Sequence, residues 1–340
     1  MVRVLLLGAG TMGTVHAEAY NSLDNVEIAG IVDIRKEQAD QLAAKVEASV
    51  YYSFEEAMEK IGNLDVIDIC LPTYLHKEYA LKAADQVKNV ICEKPLARSV
   101  EEAREMIDYC KNREVSLFVG HVVRFFQEYN RIKDIVETGK LGKPAVVRTT
   151  RGGTFPKAWQ NWYGDFEKSG GLILDLLLHD FDYLRACFGE VERVFAKKIA
   201  RKDADELSID YALVTLRFKN GVMAHLEGTW AHQGFSSGIE VAGNEGIVEY
   251  NSANNTPLKH VSREKEAGVA GVAVPESPLA SNPYREELKH FITCIANGNE
   301  PIVTAEDGFY AIQIAMAAQQ SCDTGKPVNL NATEFMEVDI

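Results

Sequence analysis

The sequence predicts an α/β fold in two parts: a doubly wound parallel-sheet domain, then an α+β domain with an open, mainly antiparallel sheet. Three observations carry that reading. The first 125 or so residues alternate short β-branched runs with stretches of helical spacing. Beyond about residue 140, strand patterns follow one another with few helices between them. A length of 340 residues, at roughly 150 per domain, suggests two domains. The expected division is 1–122 and 123–340, with the last helices as candidates to pack back on the first domain.

In chain order, strands are expected at Val2–Leu7, Val26–Asp33, Leu64–Leu71, Asn89–Cys92 and Val115–Gly120. Helical spacing fills Lys36–Glu47, Phe54–Lys60, His76–Ala84 and Ser99–Asn112. A parallel sheet covered on both faces needs near-continuous apolar strands, and Val-Ile-Asp-Ile-Cys-Leu (66–71) is nearly one. Later strands are expected at Lys143–Gly152, Val191–Ile199, Ile209–Phe218, Gly221–Trp230 and Ile239–Val241. Lys219-Asn220-Gly221 reads as a hairpin turn through Asn-Gly. Before it, Ala212, Val214, Leu216 and Phe218 share one face, which is core. The other face, with Tyr211, Leu213, Thr215 and Arg217, suits solvent or a partner subunit. One long helix, Leu172–Phe188, ends at Gly189. Asn251–Asn282 is rich in Ala, Gly, Ser and Pro and reads as a loop or lid; helices at Tyr284–Ala296 and Ala305–Cys322 finish the chain.

Charge and composition exclude several functions. Fifty acidic residues against 36 basic ones give a net charge of −14, and no dense basic run offers a nucleic-acid surface. No stretch approaches the roughly 20 apolar residues of a membrane span. The apolar run at the start is too short for a signal-peptide core of about 7–15 residues, so a cytoplasmic protein is expected. The six cysteines (Cys70, Cys92, Cys110, Cys187, Cys294, Cys322) form no C-x-x-C pair. They read mostly as small buried hydrophobes in a reducing compartment, and no metal is expected.

Gly8-Ala9-Gly10-Thr11-Met12-Gly13 matches G-x-G-x-x-G between a strand and a helix, the phosphate-binding turn of a Rossmann domain. The first glycine permits the tight turn, the second lets a pyrophosphate approach the backbone, and the third lets helix and strand pack. The anion then sits at a helix N-terminus. Asp33 ends the second strand about 20 positions later, where a carboxylate binds the adenosine ribose and repels a 2′-phosphate. That favours NAD; Arg35 beside it can stack on adenine or meet the 2′-phosphate of NADP.

Three further segments carry chemistry: Cys70-Leu-Pro-Thr-Tyr-Leu-His76, Cys92-Glu93-Lys94-Pro95, and Gly170-Gly171 leading to Asp175, His179 and Asp182. The first two follow strands, where open parallel sheets bind ligands. Asp175 and His179 are four apart on the expected helix and so share a face. With Gly8–Gly13, the Pro72-Thr73-x-x-His76 turn, Glu93-Lys94-Pro95 and this Asp-x-x-x-His helix, the chain resembles the glucose–fructose oxidoreductase/inositol dehydrogenase (Gfo/Idh/MocA) family over nearly its whole length. The resemblance implies NAD(P)-dependent oxidation or reduction of a sugar or cyclitol carbon. It also implies an open C-terminal sheet that pairs subunits, hence a homodimer or homotetramer.

Hydride transfer then assigns roles. His179 suits proton transfer near neutrality. Lys94 can hydrogen-bond the reacting oxygen, and Asp175 can orient His179 or the substrate. The candidate cofactor residues are Gly8, Gly10, Thr11, Met12, Gly13, Asp33, Arg35, Leu71, Pro72, Thr73, His76, Glu93 and Lys94. Arg124 and Trp162 join Asp175 and His179 as candidate substrate contacts; Arg124 equally suits an ion pair that links the domains. Trp159, Asn161 and Tyr163 complete an aromatic cluster suited to a sugar ring, a nicotinamide or interdomain packing. His121, after the Val115–Gly120 strand, is a weaker pocket candidate, and His232 can reach the pocket but reads rather as core or interface. Two other functions remain open: a redox-neutral glycosidase using NAD transiently, and a non-catalytic dinucleotide sensor, against which the intact proton-transfer set argues.

Overall fold

In the computed structural model the described residues are 1–202, 208–253 and 282–330. In order, the first elements are β1 (Val2–Leu7), α1 (Thr11–Asn21), β2 (Val26–Val32), α2 (Lys36–Val46), β3 (Val50–Tyr51) and α3 (Phe54–Lys60). They continue with β4 (Val66–Ile69), α4 (His76–Ala84), β5 (Asn89–Glu93), α5 (Val100–Asn112) and β6 (Ser116–Gly120). Next come α6 (Gln127–Glu137), β7 (Pro144–Thr154), α7 (Phe166–Ser169), α8 (Gly171–Asp175) and α9 (Leu178–Phe188). Strands β8 (Val191–Lys202), β9 (Ser208–Phe218), β10 (Met223–Thr229), β11 (Ala231–Gly243) and β12 (Ile247–Asn251) follow. The chain closes with α10 (Pro283–Asn297), α11 (Ala305–Thr324) and β13 (Val328–Asn329).

The chain divides into two compact units. The first comprises Met1–Phe126, Glu167–Ser169 and Leu279–Ile312, and the second takes the rest. The first unit thus takes α10 and the start of α11 as well as the N-terminal elements, where the sequence division had run 123–340 as one piece. Its sheet is all parallel, in order β3-β2-β1-β4-β5-β6, the doubly wound arrangement. Ser53 and Ser99 cap α3 and α5 by accepting the N–H groups of Glu56 and Glu102, which fixes where those helices start. Val4–Leu7, Ile31, Ile67, Ile69, Val90 and Ile91 form its core.

The second unit is built on a seven-stranded sheet, β12-β11-β7-β10-β9-β8-β13, antiparallel except for β7 against β10. The Asn220-Gly221 turn joins β9 to β10, with Gly221 at φ +91°, where glycine is at ease. Alternation along the strands is realised: Ala212, Val214, Leu216 and Phe218 are buried, while Leu213 is exposed. Three short strands (β3, β12, β13) and helix α6 were not expected from sequence. The expected loop or lid at 251–282 lies almost wholly outside the described residues. No described helix is long and apolar enough to cross a membrane.

The long helix expected over Leu172–Phe188 is corrected. It is two helices, α8 and α9, separated at Leu176–Leu177, where the Leu177 N–H reaches back to the Leu172 carbonyl. The cause is tertiary. Leu177 lies so close over β10 that a Cβ on Gly228 would stand 2.7 Å from its Cγ. Asp175 and His179 therefore flank the break rather than sitting on one uninterrupted face, although Leu176 and Leu177 keep right-handed helical angles.

Candidate active site

In the first unit the glycine turn is shaped as its chemistry requires. Gly8 has φ +105°, and a Cβ there would come 2.5 Å from the Cys70 carbonyl oxygen. A Cβ on Gly13 would collide with the Gly8 carbonyl, so α1 packs on the turn only through glycine. Gly10, the residue before α1, is open: a Cβ there would meet only the Arg35 guanidinium, at 3.9 Å. No side-chain hydrogen bond caps α1, and the turn delivers the start of that helix to the open side of Gly10. This cradle fits a dinucleotide pyrophosphate.

Asp33 and Arg35, read separately from sequence, form one ion pair. Arg35 donates from Nη2 to Asp33 Oδ2 at 2.6 Å and from Nε to Oδ1 at 2.9 Å. The N–H groups of Ala9 and Arg35 each donate to the same carboxylate at 2.8 Å. Burial works to raise the Asp33 pKa, but the Arg35 guanidinium and these N–H groups bring it below the ordinary value, so Asp33 stays ionised.

The turn after β4 and the segment after β5 are stapled together. Both ring nitrogens of buried His76 lie on backbone carbonyls, Nδ1 at 2.7 Å from Pro95 O and Nε2 at 2.8 Å from Leu71 O. His76, one of the expected cofactor residues, thus joins the two loops through their backbone. Glu93 is likewise directed inward. Its Oε1 meets His16 Nε2 at 3.1 Å, and its Oε2 accepts the Lys94 N–H at 2.9 Å. Gly120 on β6 leaves room for this carboxylate, since a Cβ there would lie 3.3 Å from Glu93 Cδ. Lys94 itself is half-buried, on a cis Lys94–Pro95 peptide.

Sequence reasoning missed what stands behind Glu93. His16 Nδ1 lies 2.8 Å from Asp68 Oδ2, and the Tyr20 hydroxyl donates to the same oxygen at 2.7 Å. Cys70 Sγ is 3.2 Å from His16 Nδ1, its thiol pushed up by burial and so kept protonated. His16, Asp68 and Cys70 thus bring three ligand-type atoms within 4.8 Å of one another, yet hydrogen bonds already join those atoms. The available signal was Asp68, an acid inside an otherwise apolar strand, which must be paired if buried.

Arg124 makes contacts within the first unit. Its guanidinium donates to the Ile302 carbonyl at 3.1 Å and pairs with Asp307 at 3.3 Å, tying the end of β6 to the start of α11 inside the first unit. The pair with Asp307 is therefore not a domain-linking one. His121 is fully buried.

In the second unit Asp175 and His179 are both buried, at 5% and 9% exposure, on either side of the α8–α9 break. Gly170 and Gly171, at φ +74° and +68°, turn the chain into α8. Arg151 on β7 holds α9 by a two-point ion pair to Asp180, 2.7 Å from Nε to Oδ2 and 3.1 Å from Nη2 to Oδ1. Burial opposes the Arg151 charge, but Asp180 outweighs it and keeps the pKa above the ordinary arginine value. Trp162 stacks on Tyr163 with ring centres 3.9 Å apart, and Tyr163 and Phe155 both meet Trp230 edge-on. Trp159 is exposed. His232, read as core or interface, is exposed on β11, with its ring over Gly152 where no Cβ fits.

Family comparison adds to this geometry. Residues 2–121 match the model of an oxidoreductase family's NAD-binding Rossmann fold, and residues 133–330 match the same family's C-terminal alpha/beta domain. The chain belongs to the Gfo/Idh/MocA oxidoreductase family. As a member it is an NAD(P)-dependent dehydrogenase acting on CH–OH groups, with its NAD-binding domain in the first unit. It is 31% identical to the myo-inositol 2-dehydrogenase of Thermotoga maritima, over 97% of this chain and 98% of that one. It is 28% identical to the scyllo-inositol 2-dehydrogenase (NAD(+)) of Bacillus subtilis, over 97% and 96%. A solved probable dehydrogenase from Thermotoga maritima superposes with a TM-score of 0.80 at 30% identity, covering 96% of this chain and 98% of that one.

Proposed function

We propose that this family member transfers a hydride between a nicotinamide cofactor and the secondary alcohol or ketone carbon of an inositol-like cyclitol or a sugar. The observation that carries the reading is that one chain holds an open glycine cradle, a half-buried Lys94 beyond β5, and a buried Asp175 and His179 on α8 and α9. The inositol dehydrogenases among its relatives support the substrate class. When bound, the nicotinamide supplies the hydride acceptor or donor. This chain's own groups handle the proton. His179 takes it from the substrate hydroxyl, histidine being the side chain whose ordinary pKa suits exchange near neutrality. Lys94 donates a hydrogen bond to the reacting oxygen and stabilises its alkoxide character. Asp175 orients His179 or the substrate. Trp162 offers an aromatic face to a sugar ring. Asp33 selects NAD, and Arg35 is the group a 2′-phosphate would meet.

Residues 1–122 then serve the cofactor and residues 123–340 the substrate and subunit contacts. We further propose a cytoplasmic location, in keeping with six free cysteines. Pairing into a homodimer or homotetramer would use the outer face of the seven-stranded sheet, where Phe195, Ile199, Leu213 and Met223 are 36–51% exposed while the opposite face is core. A monomer mass in light scattering at micromolar concentration would contradict that assembly.

The test is a screen of inositols, aldoses and sugar acids for NADH or NADPH production, with NAD and NADP in parallel. Net production from a cyclitol or sugar supports the reading. A cofactor retained through purification with no net reduction points to the redox-neutral glycosidase. Dinucleotide binding with no turnover on any of them points to a sensor.

A further inference from the structure

The first unit contains a buried chain of ionisable groups that the reaction itself does not use. His16 and Asp68 are fully buried, and Glu93 is 5% exposed. The chain runs from the Tyr20 hydroxyl to Asp68, from Asp68 to His16, from His16 to Glu93, and from Glu93 to the main-chain N–H of Lys94. His16 stands on α1, the helix whose N-terminus is the glycine turn, while Asp68 and Glu93 stand on β4 and β5. Each ring nitrogen of His16 faces a carboxylate oxygen. A neutral imidazole has only one N–H and would set a nitrogen lone pair against a carboxylate away from water; the imidazolium donates to both. Burial lowers the His16 pKa, but the groups on Nδ1, Asp68 foremost among those ionised at neutrality, raise it well above the ordinary histidine value.

Such a cluster is a poor way to gain stability. Desolvating two carboxylates and an imidazolium is costly, and apolar side chains of similar volume would join the same three elements at least as firmly. What apolar side chains would not do is direct a hydrogen bond onto the backbone of one chosen residue. That residue is Lys94. We propose that His16 is a positioning residue for Lys94: it aims Glu93, which fixes the Lys94 main chain, and through α1 it ties that position to the phosphate turn. The role rests on Lys94 acting at the reacting oxygen.

Two substitutions separate the two ends of the imidazole. His16→Asn keeps an amide near the place of Nδ1 and reaches only Asp68; His16→Gln extends an amide toward the place of Nε2 and reaches Glu93. The first readout needs neither cofactor nor substrate: competitive acetylation of the full chain at trace reagent, with each lysine followed by mass spectrometry. Labelling of Lys94 should change at least about threefold in His16→Asn and clearly less in His16→Gln, while exposed Lys45 and Lys60 stay constant. The second readout is kcat, KM and NAD dissociation constant on the best polyol from the screen. There His16→Asn should lose at least about tenfold more kcat than His16→Gln at similar melting temperature.

Equal labelling and equal kcat in two variants of matched stability would make His16 merely structural and overturn the proposal. Should neither variant fold, Glu93→Gln, which keeps the volume and one acceptor oxygen, must change Lys94 labelling for the proposal to stand. Lys94→Met separates the two readings. If it leaves turnover intact, the role of Lys94 falls and the positioning role with it. If it abolishes turnover while Asn and Gln at position 16 behave alike, only the positioning role falls.

Discussion

Lys94 and His179 have the same kind of neighbour in the chain, in different chemical form. Glu93 directly precedes Lys94 and is held by the buried imidazole of His16; Asp180 directly follows His179 and is held by the buried guanidinium of Arg151. In both units a buried carboxylate is clamped by a cation from a neighbouring element. The clamps differ in reversibility. Arginine keeps its proton at any accessible pH and grips Asp180 at two points, so the α9 clamp is fixed. His16 can lose its proton, and the neutral imidazole that remains donates to only one of its two carboxylates. The difference shows that a fold can hold two buried carboxylates by one device and still leave only one of the holds open to titration.

The largest effect should come from removing the groups proposed to react, Lys94 and His179. Lys94→Met and His179→Ala should each reduce kcat by ~10²–10⁴-fold with the NAD dissociation constant little changed. The double variant should lose far less than the product of the two if, as proposed, both serve one proton path. Asp175→Asn should cost less than either. Full additivity in steady-state kinetics would mean that the two residues act on separate steps.

Breaking the fixed clamp comes next. Arg151→Met leaves Asp180 buried without its partner and should lower unfolding stability by ~3–5 kcal/mol in urea titrations. A loss below about 1 kcal/mol would mean that Asp180 finds another partner and that the comparison between clamps fails.

The titratable clamp should be visible in stability against pH. The folded-state pKa of His16 is raised, so its contribution is complete below about 6.5 and is lost as pH climbs through the raised value. Burial would raise Glu93, but His16 and Lys94 bring it below its ordinary value, so its contribution is present above about 4.5 and fades as pH falls through the lowered value. Urea midpoints of the wild type should therefore fall on the alkaline side, and His16→Gln should flatten that limb. An unchanged alkaline limb would show that the imidazolium is not what holds β5.

The smallest effect concerns the cofactor. NAD should bind more tightly than NADP, and Arg35→Ala, by releasing the Asp33 carboxylate, should widen the preference several-fold. Isothermal titration favouring NADP tenfold in the wild type would reverse the assignment in favour of Arg35.

How much of this was legible in the sequence depended on the range of the interactions involved. The glycine turn, the strands of the parallel sheet and the β9–β10 hairpin rest on local backbone rules and could be placed from sequence. The two-residue strands β3 and β13 carry too few side chains to make a pattern. The α8–α9 break was hidden because Leu172–Leu178 is buried throughout, which erases periodicity, and because Leu177 packs against Gly228 far along the chain. The backbone partners of His76 were not legible either, because Pro95 comes beside it only when the segments after β4 and β5 meet. The clamps were the least legible, since His16 meets Asp68 and Glu93 only after three separate elements have assembled. Asp68 alone hinted at them.

The β7–β10 pairing also has a bearing on how the second unit assembles. Strand β10 is joined to β9 by a tight turn, a contact between near neighbours that closes at little entropic cost, whereas β7 reaches β10 only across the whole of α7 to β9. Because β7 also separates β10 from β11, the sheet stays in two pieces until that strand docks. The carrier of Arg151 is thus the keystone strand, and the grip on α9 depends on a long-range pairing rather than on a turn between neighbours.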